Sequence, residues 1–380
     1  MKPDFLGDNP TIYIVAPSFG CTTKPYNLRL EKSIQNFKNL NANVIIGDNV
    51  YKSEGLAASN TPEKRAKEIM DAYNSNANVI ISAGGGEVMS QILEYIDFDV
   101  IKKNPKWFVG FSDNTNLTYT ITTNCDIETI YGTNAAGYYS MLYDSLDTWL
   151  MLNGKNEFYG YKKWQYEKKN NKPLSGYNLD KKSRIYKYNY DKPFNGRLTG
   201  GCLDCLQGLC GTSFDKTKEY IERHKDEGII FFLEACDFNS VGIIRALTQL
   251  KNAGWFKYLK GFIIGRSMHY YDKSFNITPK EAYLSVLKDF NVPILLDIDL
   301  GHLGPSMPIR CGAFATIEYK KNTICIKYDE WKGAVKNQFL KFRFFHSPLI
   351  IIYIYFPKQN LVNKAVINSS LDASPVISPK

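Results

Sequence analysis

Short apolar runs alternate with amphipathic stretches through the first half of the chain. "TIYIVAPS" (11–18) reads as a buried strand that stops at Pro17, and "NLRLEKSIQNFKNL" (27–40) has helical spacing. "NVIIG" (43–47) predicts a second strand. "TPEKRAKEIMDAYN" (61–74) predicts a helix with Thr61 as N-cap and Pro62 at its first position. "NVIISAGGG" (78–86) is a strand ending in glycines, "VMSQILEYI" (88–96) a helix, and "WFVGFS" (107–112) the next strand. Strands and helices in this alternation imply an α/β fold with a parallel sheet covered on both faces. The strands are apolar throughout, as burial on both sides requires.

The pattern then changes. Residues 155–195 are rich in Lys, Asn and Tyr and poor in aliphatics, which marks a linker or long excursion. Order resumes with "GGCLDCLQGLCG" (200–211), the strand "GIIFFLEACD" (228–237), the helix "VGIIRALTQLKNAG" (241–254) and the strand "GFIIG" (261–265). The helix "TPKEAYLSVLKDF" (278–290), the strand "PILLDIDLGH" (293–302) and a closing hairpin, "FATIEYKKNTICIKYD" (314–329), follow. The predicted organisation is an N-terminal domain over 1–154, a linker over 155–195 and a C-terminal domain over 196–332. The remainder, 333–380, is an atypical tail. Its apolar run "SPLIIIYIYF" (347–356) has high β-propensity and little charge and reads as an edge-pairing strand, while the last twenty residues read as disordered.

Length and charge narrow the function classes. A chain of 380 residues suits two domains. The net charge of +9 misleads when read globally, because residues 331–380 carry seven basic residues and one acid. No basic stripe lies on a recognisable nucleic-acid module, so nucleic acid is not an expected partner. No run reaches the roughly 20 apolar residues of a membrane span, and no secretory signal is evident, so a soluble cytoplasmic protein is expected. In that setting the eight cysteines read as reduced thiols. "CLDC" (202–205) has metal-ligand spacing but no second pair, and its plainer reading is small apolar residues on a helix.

Ligands of open parallel sheets bind beyond the carboxyl ends of the strands. Three side chains stand out there. Ser112 follows an apolar strand and precedes a helix, the mechanics of a nucleophile elbow, although Asn114 stands where a second glycine is usual. The plainer reading is a helix N-cap. Glu234 ends a run of apolar residues, so it must be paired or pointed at a site. Arg245 and Arg310 are possible ion-pair partners, and Asp237 is a competing acid. His302 sits in a Gly- and Pro-shaped loop after a strand; His269 is its competitor, while His224 reads as a solvated helix face and His346 lies in the tail. A serine needs a base, and an imidazole base needs a carboxylate to fix its tautomer. The glycines 84–86 could bring a backbone N–H up to a reacting carbonyl and, with the N–H of Asp113, form an oxyanion hole, each donor contributing about 3–4 kcal/mol. The rival reading, a phosphate loop, lacks both G-x-G-x-x-G and a Walker lysine.

"IYIVAPS", "SAGGG", "VGFSDNT", "FFLEACD", "GFIIG" and "DLGHLGPSMPIRCG" occur in an order that resembles the LD-carboxypeptidase family of serine peptidases over about residues 10–330. The resemblance implies a flavodoxin-like N-terminal domain and a smaller C-terminal domain with a β-barrel. It implies Ser112 as nucleophile, Glu234 as acid and His302 as base, with the amides of Asp113 and Gly85 as oxyanion donors and no metal or cofactor. It also implies a homodimer. Two substrate classes are known in the family: murein tetrapeptides cut at an L,D bond in cell-wall recycling, and the aspartyl-nucleotide amide cut by the microcin C immunity branch. The aromatics of "EFYGYKKWQYE" (157–167) are similar to that branch, whereas Cys202 and Asp204 replace its usual asparagines. The alternative is a binding protein on the same scaffold with an inactive triad.

Overall fold

The computed structural model describes residues 1–168 and 172–329, together with the strands Leu349–Phe356, Leu361–Asn368 and Ile377–Ser378. The chain forms two compact units, Met1–Asp329 and Glu330–Lys380.

The first unit is built on two sheets. Strands β1 (Thr11–Val15), β2 (Asn43–Ile46), β3 (Val79–Ser82), β4 (Trp107–Gly110) and β5 (Thr129–Tyr131) run parallel in the order β2-β1-β3-β4-β5. That 2-1-3-4-5 order is the flavodoxin-like arrangement of a doubly wound sheet. Val79–Ser82 and Trp107–Gly110 are buried along their whole length, which the unbroken apolar runs require. The helix Pro62–Asn74 begins with Pro at its first position, as its sequence dictates, and buries Ala66, Ile69, Ala72 and Tyr73. The run expected as an α-helix over 88–96 takes the tighter 3₁₀ form over Met89–Tyr95. Its first N–H, that of Met89, is taken by the Asp113 carboxylate at 2.9 Å.

The linker is more structured than its composition suggests. It contributes β6 (Glu157–Tyr159), the short pair β7 (Lys163–Trp164) and β8 (Lys181–Lys182), and β9 (Tyr186–Tyr188). The later strands are β10 (Phe194–Cys202), β11 (Ile229–Glu234), β12 (Leu259–Gly265), β13 (Ile294–Ile298), β14 (Ile309–Cys311), β15 (Phe314–Lys320) and β16 (Thr323–Tyr328). The second sheet has the order β6-β16-β15-β10-β11-β12-β13-β9, with β10 to β13 parallel and both edges supplied by the linker. Its described pairings leave β6 and β9 as edges and do not include a barrel closure. The predicted hairpin 314–329 is present. Lys321 and Asn322, both at positive φ (51° and 61°), form its two-residue turn. β14 leaves this sheet and pairs antiparallel with β5, so late sequence completes the first sheet.

Packing joins the two sheets into one core. Tyr119, on the helix Thr115–Cys125, stacks on Trp255 from the loop before β12, with centroids 5.2 Å apart and planes 11° apart. Phe231, Phe256 and Phe262 pack edge to face beneath the second sheet. In the second unit, Leu349–Phe356 pairs antiparallel with Leu361–Asn368, which in turn pairs with Ile377–Ser378. Leu361–Asn368 and Ile377–Ser378 are thus strands within the last twenty residues, which were expected to be disordered, while apart from the three strands the tail, His346 included, lies outside the described residues.

Trp255 is fully buried and stacked. Trp255→Ala is expected to lower the unfolding free energy by about 3–5 kcal/mol, checked by urea titration followed by circular dichroism.

Candidate active site

β4 ends at Gly110. Phe111 continues extended (φ −132°, ψ −179°), and Ser112 then turns into the left-handed region at φ 66°. For a serine that conformation costs roughly 1–3 kcal/mol and persists only where its surroundings enforce it. Here they do. The Ser112 N–H donates to the Tyr131 hydroxyl at 3.1 Å, and the Phe111 N–H donates to Asn134 Oδ1 at 3.1 Å. Asn114 Nδ2 donates to the carbonyls of Gly84 (2.9 Å) and Phe111 (3.0 Å). The asparagine in the place of a second glycine is therefore a bracing residue that ties the turn to the glycine loop.

The three sequence candidates form one hydrogen-bonded chain. Ser112 Oγ lies 2.9 Å from His302 Nε2, and His302 Nδ1 lies 2.9 Å from Glu234 Oε2. Glu234, at the end of β11, is wholly buried, and its second oxygen accepts from the Tyr131 hydroxyl at 2.6 Å. Neither arginine partners it. The Arg310 guanidinium is held by Glu128 at 2.9 Å, and Arg245 lies exposed on the helix Ser240–Asn252. His302 reaches Glu234 because Gly301 precedes it: at φ 99°, a Cβ on Gly301 would stand 2.7 Å from Glu234 Oε2. Phe111 packs on the imidazole with ring centroids 5.3 Å apart.

Burial alone would push the His302 pKa down, but the Glu234 carboxylate, together with the Cys236 side chain, outweighs it and holds the imidazole well above its ordinary 6.5. For Glu234, burial pushes the pKa up. The facing imidazole and the Tyr131 hydroxyl overcome that and leave it lowered. The pair thus favours imidazolium beside carboxylate.

The candidate oxyanion residues sit beside the serine. A Cβ on Gly85 would stand 3.3 Å from Ser112 Oγ, so the glycine backbone passes directly by the hydroxyl. The Asp113 side chain points away. It accepts from Ser18 Oγ (2.5 Å), the Met89 N–H (2.9 Å) and Asn116 Nδ2 (2.9 Å), and burial raises its pKa despite these donors. A small cleft, about 420 Å³ only when the open solvent at its mouth is counted, lies against His302, walled by Phe111, Thr133, Asp144, Gln165 and Tyr177, the last two from the linker.

The competing candidates lie apart from this chain. Asp237 is exposed, and His269 pairs with Asp272 at 2.7 Å. His224 differs from the solvated helix face expected: it is largely buried between Asp126 (2.9 Å) and Glu227 (3.2 Å). Cys202 is buried, and the Cys205 thiol donates to the Ser112 carbonyl at 3.7 Å. Among the described residues, no group of three His, Cys, Asp or Glu is placed to hold a metal ion.

Two contributors escape sequence reasoning. Tyr131 links Glu234 to the Ser112 amide. Its only signal is its place at the carboxyl end of β5. Asp204 accepts from the N–H groups of Cys236 (3.0 Å), Asp237 (2.9 Å) and Phe238 (3.0 Å) and so clamps the loop after Glu234. Nothing in "CLDC" announces that role.

Comparison with known proteins agrees across both halves. The LD-carboxypeptidase N-terminal domain matches residues 12–132 and the LD-carboxypeptidase C-terminal domain residues 195–317, together more than half of the chain. The chain is 27% identical over 281 residues to the microcin C7 self-immunity protein MccF of Escherichia coli, covering 70% of this chain and 79% of that protein. It is 26% identical over 345 residues to the probable murein peptide carboxypeptidase of Bacillus subtilis (strain 168), covering 88% and 97%. The structure of MccF in complex with aspartyl sulfamoyl adenosine superposes with a TM-score of 0.72 at 22% identity, covering 86% of this chain and 98% of that one, a likeness of fold.

The raised His302 pKa predicts an NMR titration of its ring with a midpoint above 6.5. Glu234→Gln removes the compensating charge and should bring that midpoint down. An unchanged midpoint in the variant would show that Glu234 does not set it.

Proposed function

The chain belongs to the LD-carboxypeptidase family, and from that premise we propose that it is a metal-free serine hydrolase cleaving a peptide-like amide through Ser112, His302 and Glu234. The observation that carries the reading is the unbroken chain from Ser112 Oγ through the imidazole to Glu234, with links of 2.9 and 2.9 Å, begun by a serine held at φ 66°.

In this reading, neutral His302 takes the Ser112 proton through Nε2 as Oγ attacks the substrate carbonyl. Glu234 stabilises the imidazolium that forms. The N–H groups of Gly85 and Asp113 donate to the oxyanion. Collapse of the tetrahedral intermediate breaks the C–N bond, and the imidazolium gives its proton to the leaving amine. Water then attacks the acyl-enzyme by the same route in reverse. Tyr131 acts at one remove, by orienting Glu234.

The substrate class follows from the relatives: a small peptide of the murein type, or an aminoacyl-nucleotide amide like those met by the immunity proteins. The homodimeric state and cytoplasmic location that the family implies belong to the same proposal.

Incubation with a murein tetrapeptide and with an aspartyl-nucleotide amide, followed by mass spectrometry, tests the reading. The wild type should convert one of them, and Ser112→Ala should lower kcat by about 10⁴-fold or more with an unchanged circular dichroism spectrum. Undiminished turnover in that variant would overturn the assignment. Because catalysis requires the neutral imidazole, kcat/KM should rise with pH through the His302 pKa, so the acid limb should lie above pH 6.5.

A further inference from the structure

The linker carries a polar group that the fold leaves free beside the base. Gln165 follows β7 and is held from two sides. Its backbone N–H donates to the Gly304 carbonyl, in the loop that carries His302, at 2.9 Å. Its Oε1 accepts from the Asn178 N–H at 3.0 Å. Trp164, the residue before it, is buried beneath the Arg266 guanidinium, which stands 4.8 Å from its ring centre. The glutamine is thereby fixed on the wall of the small cleft against His302.

The same anchoring decides which end of the amide is spent. A backbone N–H can only donate, so the Gln165 atom that meets Asn178 must be the carbonyl oxygen, and the NH2 group is left over. Gln165 Nε2 has no hydrogen-bond partner among the described residues, and unlike the sealed polar atoms of the interior it stays open to solvent. The free protein thus presents two N–H donors that an occupant of the cleft can reach. An acceptor placed there makes a hydrogen bond without uncovering any other group.

The walls select the charge of that acceptor. Asp144 and His302 are the charged groups among them, with no lysine or arginine. The Asp144 carboxylate, on the same cleft, accepts from the Tyr177 hydroxyl at 2.6 Å and the Ser145 N–H at 3.0 Å. The charge of a protonated His302 is matched by Glu234. A carboxylate or phosphate set on Gln165 would therefore share the cleft with a like charge and find no unmatched cation. A neutral peptide carbonyl meets the NH2 group without that repulsion.

We propose that Gln165 is a substrate-reading residue whose Nε2 donates to a peptide carbonyl other than the one Ser112 attacks. The proposal rests on the hydrolase reading and narrows its substrate class. It favours a peptide with at least two carbonyls over an aminoacyl-nucleotide amide, whose acyl carbonyl is followed by an anionic phosphate.

The test compares the murein tetrapeptide with its C-terminal dipeptide, which keeps the scissile amide and lacks every carbonyl upstream of it. The wild type should favour the tetrapeptide in kcat/KM by about 10-fold or more. Gln165→Ala should remove that preference through KM rather than kcat, as the loss of a contact remote from the reacting atoms does. Gln165→Glu keeps the acceptor for Asn178 but replaces the donor with a second acceptor, and it should remove the preference as well. Circular dichroism checks that both variants fold. A preference retained by either folded variant would overturn the inference. Binding separates it from the hydrolase reading. Calorimetric titration of the Ser112→Ala chain with the tetrapeptide should show saturable binding, which adding Gln165→Ala weakens by about 10-fold, whether or not the wild type turns the peptide over. Tetrapeptide binding that is absent, or equal with and without Gln165, would overturn the inference, while conversion of an aspartyl-nucleotide amide would still leave the hydrolase reading standing.

Discussion

A carboxylate sealed from water must be met by donors, and Glu234 is met by two from opposite parts of the chain. Tyr131 reaches it from the end of the first sheet, and His302 from the loop after the last parallel strand of the second. Removing either donor would leave a buried charge half met. The requirement ties the two sheets together at the place where Ser112 emerges, because Tyr131 also receives the Ser112 N–H. One buried charge thus fixes the imidazole, the tyrosine and, through the tyrosine, the turn that presents the hydroxyl.

Around that charge the backbone is held in conformations it would not choose. Ser112 is left-handed, and Gly301 passes where a side chain would strike Glu234. Asn114 and Asn134 hold the serine turn, while Asp204 gathers three amide hydrogens of the loop after Glu234. Much of the polar hardware here is directed at backbone, which holds the turn rigid without engaging the Ser112 hydroxyl.

The linker is part of the same construction. Its strands form both edges of the second sheet, and Gln165 and Tyr177 wall the cleft against His302. Its polar, tyrosine-rich composition suits edge strands, which keep one side toward water, better than it suits a tether.

The sequence by itself determined the strands and helices of the parallel layers, because buried strands and capped helices are written in contiguous residues. Apolar runs ended at glycine or proline, and Pro62 and the 314–329 hairpin marked their own boundaries. It also singled out Ser112, Glu234 and His302, since a polar group closing an apolar strand is a local anomaly. It did not disclose what joins them. Tyr131 resembles any strand tyrosine and Asp204 any helix acid. The return of Ile309–Cys311 to the first sheet is a pairing between segments almost two hundred residues apart, and so is the contact of His302 with Ser112. Those features depend on distance in space, and chain order carries that distance only where neighbours in sequence are also neighbours in the fold.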